Sequence, residues 1–149
     1  QIEILRQREP LSVEDQDLYF ERVIAAQMAM VRPPQLLFGY LEGRSLVGYG
    51  GFVHIDWGCH QAEVSFLTAT ARALGDSLRR DWKIYLDMVT VLARNVLDLD
   101  KLTTETFETR SNLPPILEDY GFQHEGVLVN RRHNHGQWYA SVSHGLALK

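Results

Sequence analysis

Three consecutive segments in the middle of the chain limit its fold more than any other feature. Gln61–Leu67 (QAEVSFL) alternates polar and apolar residues, as a strand with one buried face does. After it, Leu78, Trp82, Tyr85, Val89, Leu92 and Val96 recur at spacings of four, three, four, three and four, which is one apolar stripe on a long helix. Ile84, Met88 and Val91 are expected to widen that stripe, pressing the helix onto a sheet. Lys101–Phe107 (KLTTETF) then returns to β-branched, strand-like sequence. A strand, a helix and a strand in this order form a right-handed crossover between parallel strands. Ligands of such sheets gather at the carboxyl ends of the strands.

The flanking segments turn this unit into a mixed sheet. Ile2, Ile4 and Arg6 alternate as a short first strand. Ser12 is placed as the N-cap of a helix with Glu14 and Asp15 in its first turn. That helix carries Leu18, Tyr19, Val23, Ile24 and Met28 and stops before Pro33–Pro34. Leu36–Leu41 and Ser45–Trp57 read as strands joined by Glu42–Gly43. Gly48, Gly50 and Gly51 mark a bulge or a close backbone approach in the second of them. Downstream, Ser111–Asn112 caps a short helix with Pro114 and Pro115 in its first turn and Gly121 at its end. Phe122–Arg132 and Gln137–Leu146 then form a hairpin around Asn134–His135–Gly136. The fold class is α/β or α+β with a mixed sheet of about seven strands.

Bulk properties exclude several classes of function. At 149 residues the chain is read as a single domain with a real core. It opens on Gln1 rather than Met, which is compatible with excision from a longer protein. A net charge of −4 argues against broad binding to nucleic acid. The longest apolar runs are too short to span a bilayer, so no membrane partner is expected. Cys59 is the only cysteine, which suits a reducing, cytoplasmic setting.

Certain residues carry chemistry. The loop Arg72-Ala73-Leu74-Gly75-Asp76-Ser77 leads from a strand into a helix, where free N–H groups and the helix dipole favour a phosphate. Asp76 would repel such a group, and Arg79 and Arg80 would offset it. Glu63 is a carboxylate between apolar neighbours, an environment that raises a pKa toward proton-transfer range. His54 and Asp56 share one strand face by alternation, either to orient an amine or complete a proton relay, or as a structural pair at a strand end. His54, Asp56 and His60 lack the spacing of a metal motif on one element, so no metal is expected. Cys59 has no surroundings that would activate a thiol. Trp57, Trp82 and Trp138 are assigned to the core or a cleft wall, with Trp138–Tyr139 able to stack on a sugar ring.

The element order, with Ala62-Glu63-Val64-Ser65-Phe66-Leu67 before the long helix and Gly121-Phe122 after the short one, resembles the GCN5-related N-acetyltransferases. The runs GYGGFVHIDW…AEVSFL, ETR…LEDYGFQHEGVL and SHG look like a bacterial branch associated with surface amino-sugar synthesis. The resemblance implies a sheet that splays between its fourth and fifth strands, with acetyl-CoA in the cleft. It implies that Phe66, Leu67 and Thr68 pair with the pantetheine arm, and that Arg72, Gly75 and Ser77 support the pyrophosphate. Arg110, standing where the family often has Asn, would reach a phosphate or an acidic acceptor group. Glu63 takes the position of a general base, with His54, Asp56 and Tyr139 on the acceptor. The family's usual acid, a Tyr four residues before the Gly-Phe pair, is replaced by Leu117. Tyr120 lies elsewhere on the helix, which leaves water, Tyr139 or Tyr49 to protonate the leaving thiolate.

The resulting expectation is an acetyl-CoA-dependent N-acetyltransferase acting on a small-molecule amine, with a nucleotide-linked amino sugar as the leading acceptor and a homodimer as a compatible assembly. A protein N-terminal acetyltransferase and a non-catalytic binding module of the same fold stand as alternatives.

Overall fold

The computed structural model describes residues 12–134 and 136–149. The expected strand at Ile2–Arg6 and the turn residue His135 lie outside the described residues. Among the described residues, six strands form one sheet in the order β1-β2-β3-β4-β6-β5. They are β1 (Leu36–Glu42), β2 (Ser45–Asp56), β3 (Gln61–Thr68), β4 (Lys101–Phe107), β5 (Gln123–Asn134) and β6 (Gln137–Ala147). β3 and β4 are parallel, and every other neighbouring pair is antiparallel.

Between β3 and β4 runs the long helix, whose buried side chains supply much of the core. α3 (Gly75–Asn95) starts at Gly75, ahead of the expected Ser77. Leu78, Trp82, Tyr85, Leu86, Val89 and Ala93 pack against Phe52, Val64, Phe66 and Leu102 from the sheet. Ile84, Met88 and Val91 are exposed, and Val96 lies beyond the helix's last full turn. The buried face is therefore rotated toward Asp81, Leu86 and Ala93, because a single flat sheet accepts only one side of the cylinder. α4 (Pro114–Tyr120) adds Ile116 and Leu117 to this core. Its N-cap is Leu113, without a side-chain cap, so Ser111 and Asn112 do not play the expected role. Gly121 ends the helix with φ 118°, a left-handed conformation that glycine adopts without steric cost.

The N-terminal helical segment behaves differently. Ser12 caps α1 (Val13–Tyr19) in a reciprocal box with Asp15, as expected. A π-helical stretch, Phe20–Ile24, then separates it from α2 (Ala25–Met28), and none of these residues is buried. The extra residue per turn breaks the apolar stripe read from the sequence. Leu18, Tyr19 and Met28 are exposed as a result.

The glycines of β2 explain how β3 is held. An ideal Cβ at Gly50 would fall 2.1 Å from the Ser65 carbonyl oxygen. One at Gly51, where φ is 153°, would fall 1.8 Å from the Leu36 carbonyl oxygen. β2 is thus clamped to both neighbours at distances that only glycine permits. Gly50→Ala is expected to destabilise the protein by about 2–3 kcal/mol through overpacking. Urea unfolding with an unchanged m-value would check it.

Candidate active site

The site begins where a ladder stops. β3 and β4 pair only at Gln61↔Lys101, Ala62↔Leu102 and Glu63↔Thr103. Beyond those pairs β3 stays with β2 as far as Thr68, while β4 stays with β6 as far as Phe107. The sheet therefore opens into a cleft between Val64–Thr68 and Thr104–Phe107. A cavity of about 540 Å³ fills it, with Ser65, Phe66, Leu67, Thr104, Thr106 and Phe107 on its walls. A second cavity, about 370 Å³, continues past Thr68 toward Ala73, Leu74 and Thr109–Asn112. Arg110 lines both.

Strand alternation gives the two faces of the cleft different chemistry. In β3 the even-numbered residues from Ala62 to Thr68 are buried and the odd-numbered ones only half-buried. Phe66 therefore meets α3, stacking on Tyr85 at a centroid distance of 3.9 Å and edge-on to Trp82 at 5.3 Å. Tyr85 donates its hydroxyl to the Ser65 carbonyl at 3.1 Å, and burial raises its pKa. On the opposite face Glu63 points to the mouth, where its Oε2 lies 2.9 Å from His54 Nδ1. Glu105 lines the same cavity, two residues beyond Thr103, the partner of Glu63. Arg131 Nε and Ser141 Oγ each donate to Glu105 Oε1 at 2.7 Å. Tyr19, Gln27 and Gln35 complete the mouth, with Gln35 Nε2 donating to the other two.

His54 and Asp56 lie on either side of buried Ile55, and Asp56 pairs with Gln61 on the β3 face that also carries Glu63, but the two side chains take different partners. The β2–β3 register shifts between Val53 and Asp56, and His54 sits at φ 51°. This irregularity turns His54 to Glu63. Asp56 instead accepts the backbone N–H groups of Gly58 and Cys59, both at 2.9 Å, and closes the turn. Asp56 also raises the pKa of the Cys59 thiol, which keeps it a poor nucleophile. Tyr139 and Tyr49 line neither cavity. Trp138 is exposed beside His133, so it forms no cleft wall. Trp57 is half-buried and donates to the Pro33 carbonyl at 2.9 Å, while Trp82 is both buried and a cleft wall. Among the described residues, no three His, Cys, Asp or Glu side chains come together as a metal group.

The expected cofactor residues divide into two groups. Phe66, Leu67 and Thr68 lie on the β3 edge that β4 has left, where an extended amide chain can add as a strand. Gly75, at φ 62°, and Ser77 occupy the first turn of α3 behind the loop. Arg72 is turned away from that path. Its Nε and Nη2 donate to Asp81 at 2.6 and 2.7 Å, and its Nη1 to Glu42 at 2.8 Å. Asp81 is fully buried, and the Arg72 guanidinium holds its carboxyl below the usual carboxylate range. The sequence reading missed this pair. The available signal was an aspartate on the apolar stripe, three residues after Leu78 and four before Tyr85. Arg110 lies over the Trp82 ring, 5.7 Å from its centroid, and burial lowers its pKa. Leu117 is completely buried, and the Tyr120 hydroxyl is 3.4 Å from Thr90 Oγ1.

A parted mixed sheet with a free strand edge on one wall and a carboxylate–histidine pair at its mouth is the architecture of an acyl-transfer enzyme that seats its donor in the sheet. The acetyltransferase (GNAT) domain model matches residues 2–142. The fold is similar to spermidine N-acetyltransferase from Vibrio cholerae in complex with CoA and spermine, at TM-score 0.81 and 16% identity, covering 99% of this chain and 82% of that one. The dodecameric structure of the same enzyme in an intermediate state gives 0.77 at 16% identity, covering 94% and 77%. A probable acetyltransferase gives 0.73 at 19% identity, covering 88% and 72%. At these identities the likeness establishes the fold. No curated protein sequence matches the chain. The chain belongs to the GNAT acetyltransferase family. It is an N-acetyltransferase with acetyl-CoA as acyl donor, and the apolar cleft wall with its free strand edge fits that donor. No helix among the described residues is long and apolar enough to cross a membrane.

The Arg72–Asp81 pair makes a stability prediction. Asp81→Asn removes the charge of a buried carboxylate that accepts two hydrogen bonds from the half-buried Arg72, and is expected to cost about 2 kcal/mol. Asp81 has a depressed folded pKa, so its contribution is present above the unfolded value near pH 4 and is lost as pH falls through the folded one. Chemical unfolding at pH 7 and at about pH 3 is expected to show the gap between wild type and D81N narrowing in acid.

Proposed function

We propose that the chain acetylates a primary amine of a small, cationic acceptor of the di- or polyamine class. The observation that carries this reading is the charge at the mouth. Glu63 and Glu105 both line it, and Arg131 there is already bound to Glu105. Two carboxylates favour an approaching ammonium and a neighbouring positive charge on the same molecule, and they repel a diphosphate. The structural likeness to spermidine N-acetyltransferases supports the same choice of acceptor. The nucleotide-linked amino sugar suggested by the GYGGFVHIDW run is the competing acceptor, and the exposed Trp138 gives it no stacking surface in the cleft.

In this reading Glu63 accepts the proton that the amine must lose to become a nucleophile. His54, hydrogen-bonded to Glu63 and largely exposed, passes that proton to solvent. Glu105 holds the distal ammonium of the acceptor. The edge of β3 at Phe66–Thr68, which β4 has left, takes the amide-bearing arm of the donor by strand addition.

CoA release measured with spermidine, amino-sugar nucleotides and short peptides tests the acceptor. Turnover with spermidine is the expected outcome, and turnover with sugar nucleotides alone would overturn it. Glu63→Gln is expected to lower kcat about 100-fold with little change in acetyl-CoA affinity. Glu105→Gln is expected to act mainly on the KM of the amine.

A further inference from the structure

We propose that Arg110 is the fixed positive charge that stabilises the departing CoA thiolate, in place of a proton-donating side chain. The inference rests on the donor running along the β3 edge and is independent of which amine is the acceptor.

Acetyl transfer forms a C–N bond and breaks the C–S bond, and the electron pair of that bond leaves on sulfur. The amine proton goes to the Glu63 side. The thiolate must then be protonated or held by a positive charge. The position at which the family places its acid is Leu117, which is completely buried and carries no proton. Tyr120 faces Thr90, Tyr49 and Tyr139 lie outside both cavities, and the Tyr85 hydroxyl is committed to Ser65.

Arg110 is in the right place for the other solution. It follows β4 through the turn Glu108–Arg110, and its carbonyl accepts the Leu113 N–H at 3.0 Å, which fixes the backbone at the open end of the cleft. Its guanidinium lies over Trp82, a wall of the larger cavity and not of the smaller one that leads to the phosphate loop. Among the described residues no other Lys or Arg lines either cavity, and no carboxylate or hydrogen-bond acceptor meets the Arg110 guanidinium. A partly desolvated cation without an anion is costly, and the cost falls when an anion arrives. Phe66 and Trp82 put Arg110 on the α3 face of the parted sheet, whereas Glu63 and His54 stand on the other face. The amine therefore enters from the acidic side and the sulfur leaves toward the cationic side. Between apolar walls a unit charge acts far more strongly than in water.

The test uses CoA itself, so it needs no acceptor. The thiolate absorbance of enzyme-bound CoA, titrated against pH, is expected to appear at least about one pH unit lower on wild type than on R110Q. R110K, which keeps the charge, is expected to restore part of that shift. Calorimetry at pH 6, where the thiol is neutral, is expected to show CoA affinity within threefold of wild type in R110Q. With a working amine, kcat of R110Q is expected to fall about 100-fold. CoA that binds R110Q normally and ionises as it does on wild type overturns the inference and leaves the donor site standing. A tenfold or larger loss of CoA affinity at pH 6 assigns Arg110 to the phosphates and also overturns it. Failure of wild type to bind CoA overturns both this inference and the donor site.

Discussion

Everything distinctive about this molecule follows from the loss of β3–β4 pairing after Glu63↔Thr103. Parallel strands in a mixed sheet normally stay in register along their length, because each unpaired backbone group inside a protein costs free energy. Here each strand keeps a firmer partner on its other side. Glycine lets β2 approach β3 more closely than any side chain would, and β4 stays paired with β6 along its whole length. The twist between neighbours then separates the two halves. The gap is therefore a consequence of stronger attachments elsewhere, and it leaves a polar strand edge ready for an extended amide ligand.

The parted sheet also separates charge. Side chains alternate across a strand, so a position two residues along β3 keeps its face and a position one residue along changes it. Glu63 and Phe66 are three apart and lie on opposite sides. Carboxylates and a histidine gather on one face of the cleft, while aromatic rings and Arg110 gather on the other. In the proposed reaction, proton removal and leaving-group stabilisation need opposite electrostatics, and the two faces of one sheet differ in that way. Arg72 and Arg110 are distinguished by their partners. Arg72 meets a buried aspartate and secures the loop into α3, whereas Arg110 meets an aromatic face and keeps its charge available.

Much of the architecture was legible because it rests on local periodicity. β4 was placed at its observed bounds, β1 and β3 within one residue at an end, and Gly121 as the helix stop. The β2 glycines were read as a bulge or a close backbone approach; Gly50 and Gly51 are close approaches, and the β1–β2 register shifts beside Gly48. The failures share a cause. The stripe on α3 was centred by hydropathy, which overlooked Asp81, because an ion pair with a residue nine positions earlier leaves no periodic trace. The alternation that joined His54 to Asp56 did not show that a register shift would give them separate partners, Glu63 for one and the turn amides for the other. The N-terminal stripe was interrupted by a π-helical turn, and Trp138 and Tyr139 lie on a hairpin without lining either cavity.

The sequence by itself determined the order of elements, the parallel crossover and the position of Glu63 on its strand. Those depend on hydrophobic period and turn chemistry, which are properties of neighbours along the chain. Only the tertiary structure decided that Glu63 would meet His54 and share its cavity with Glu105, that Arg72 would be bound to Asp81, and that Arg110 would lie over Trp82. Those relations join residues from different elements. They are set by where the sheet parts and how far its strands twist, which is a balance of packing that no single segment contains.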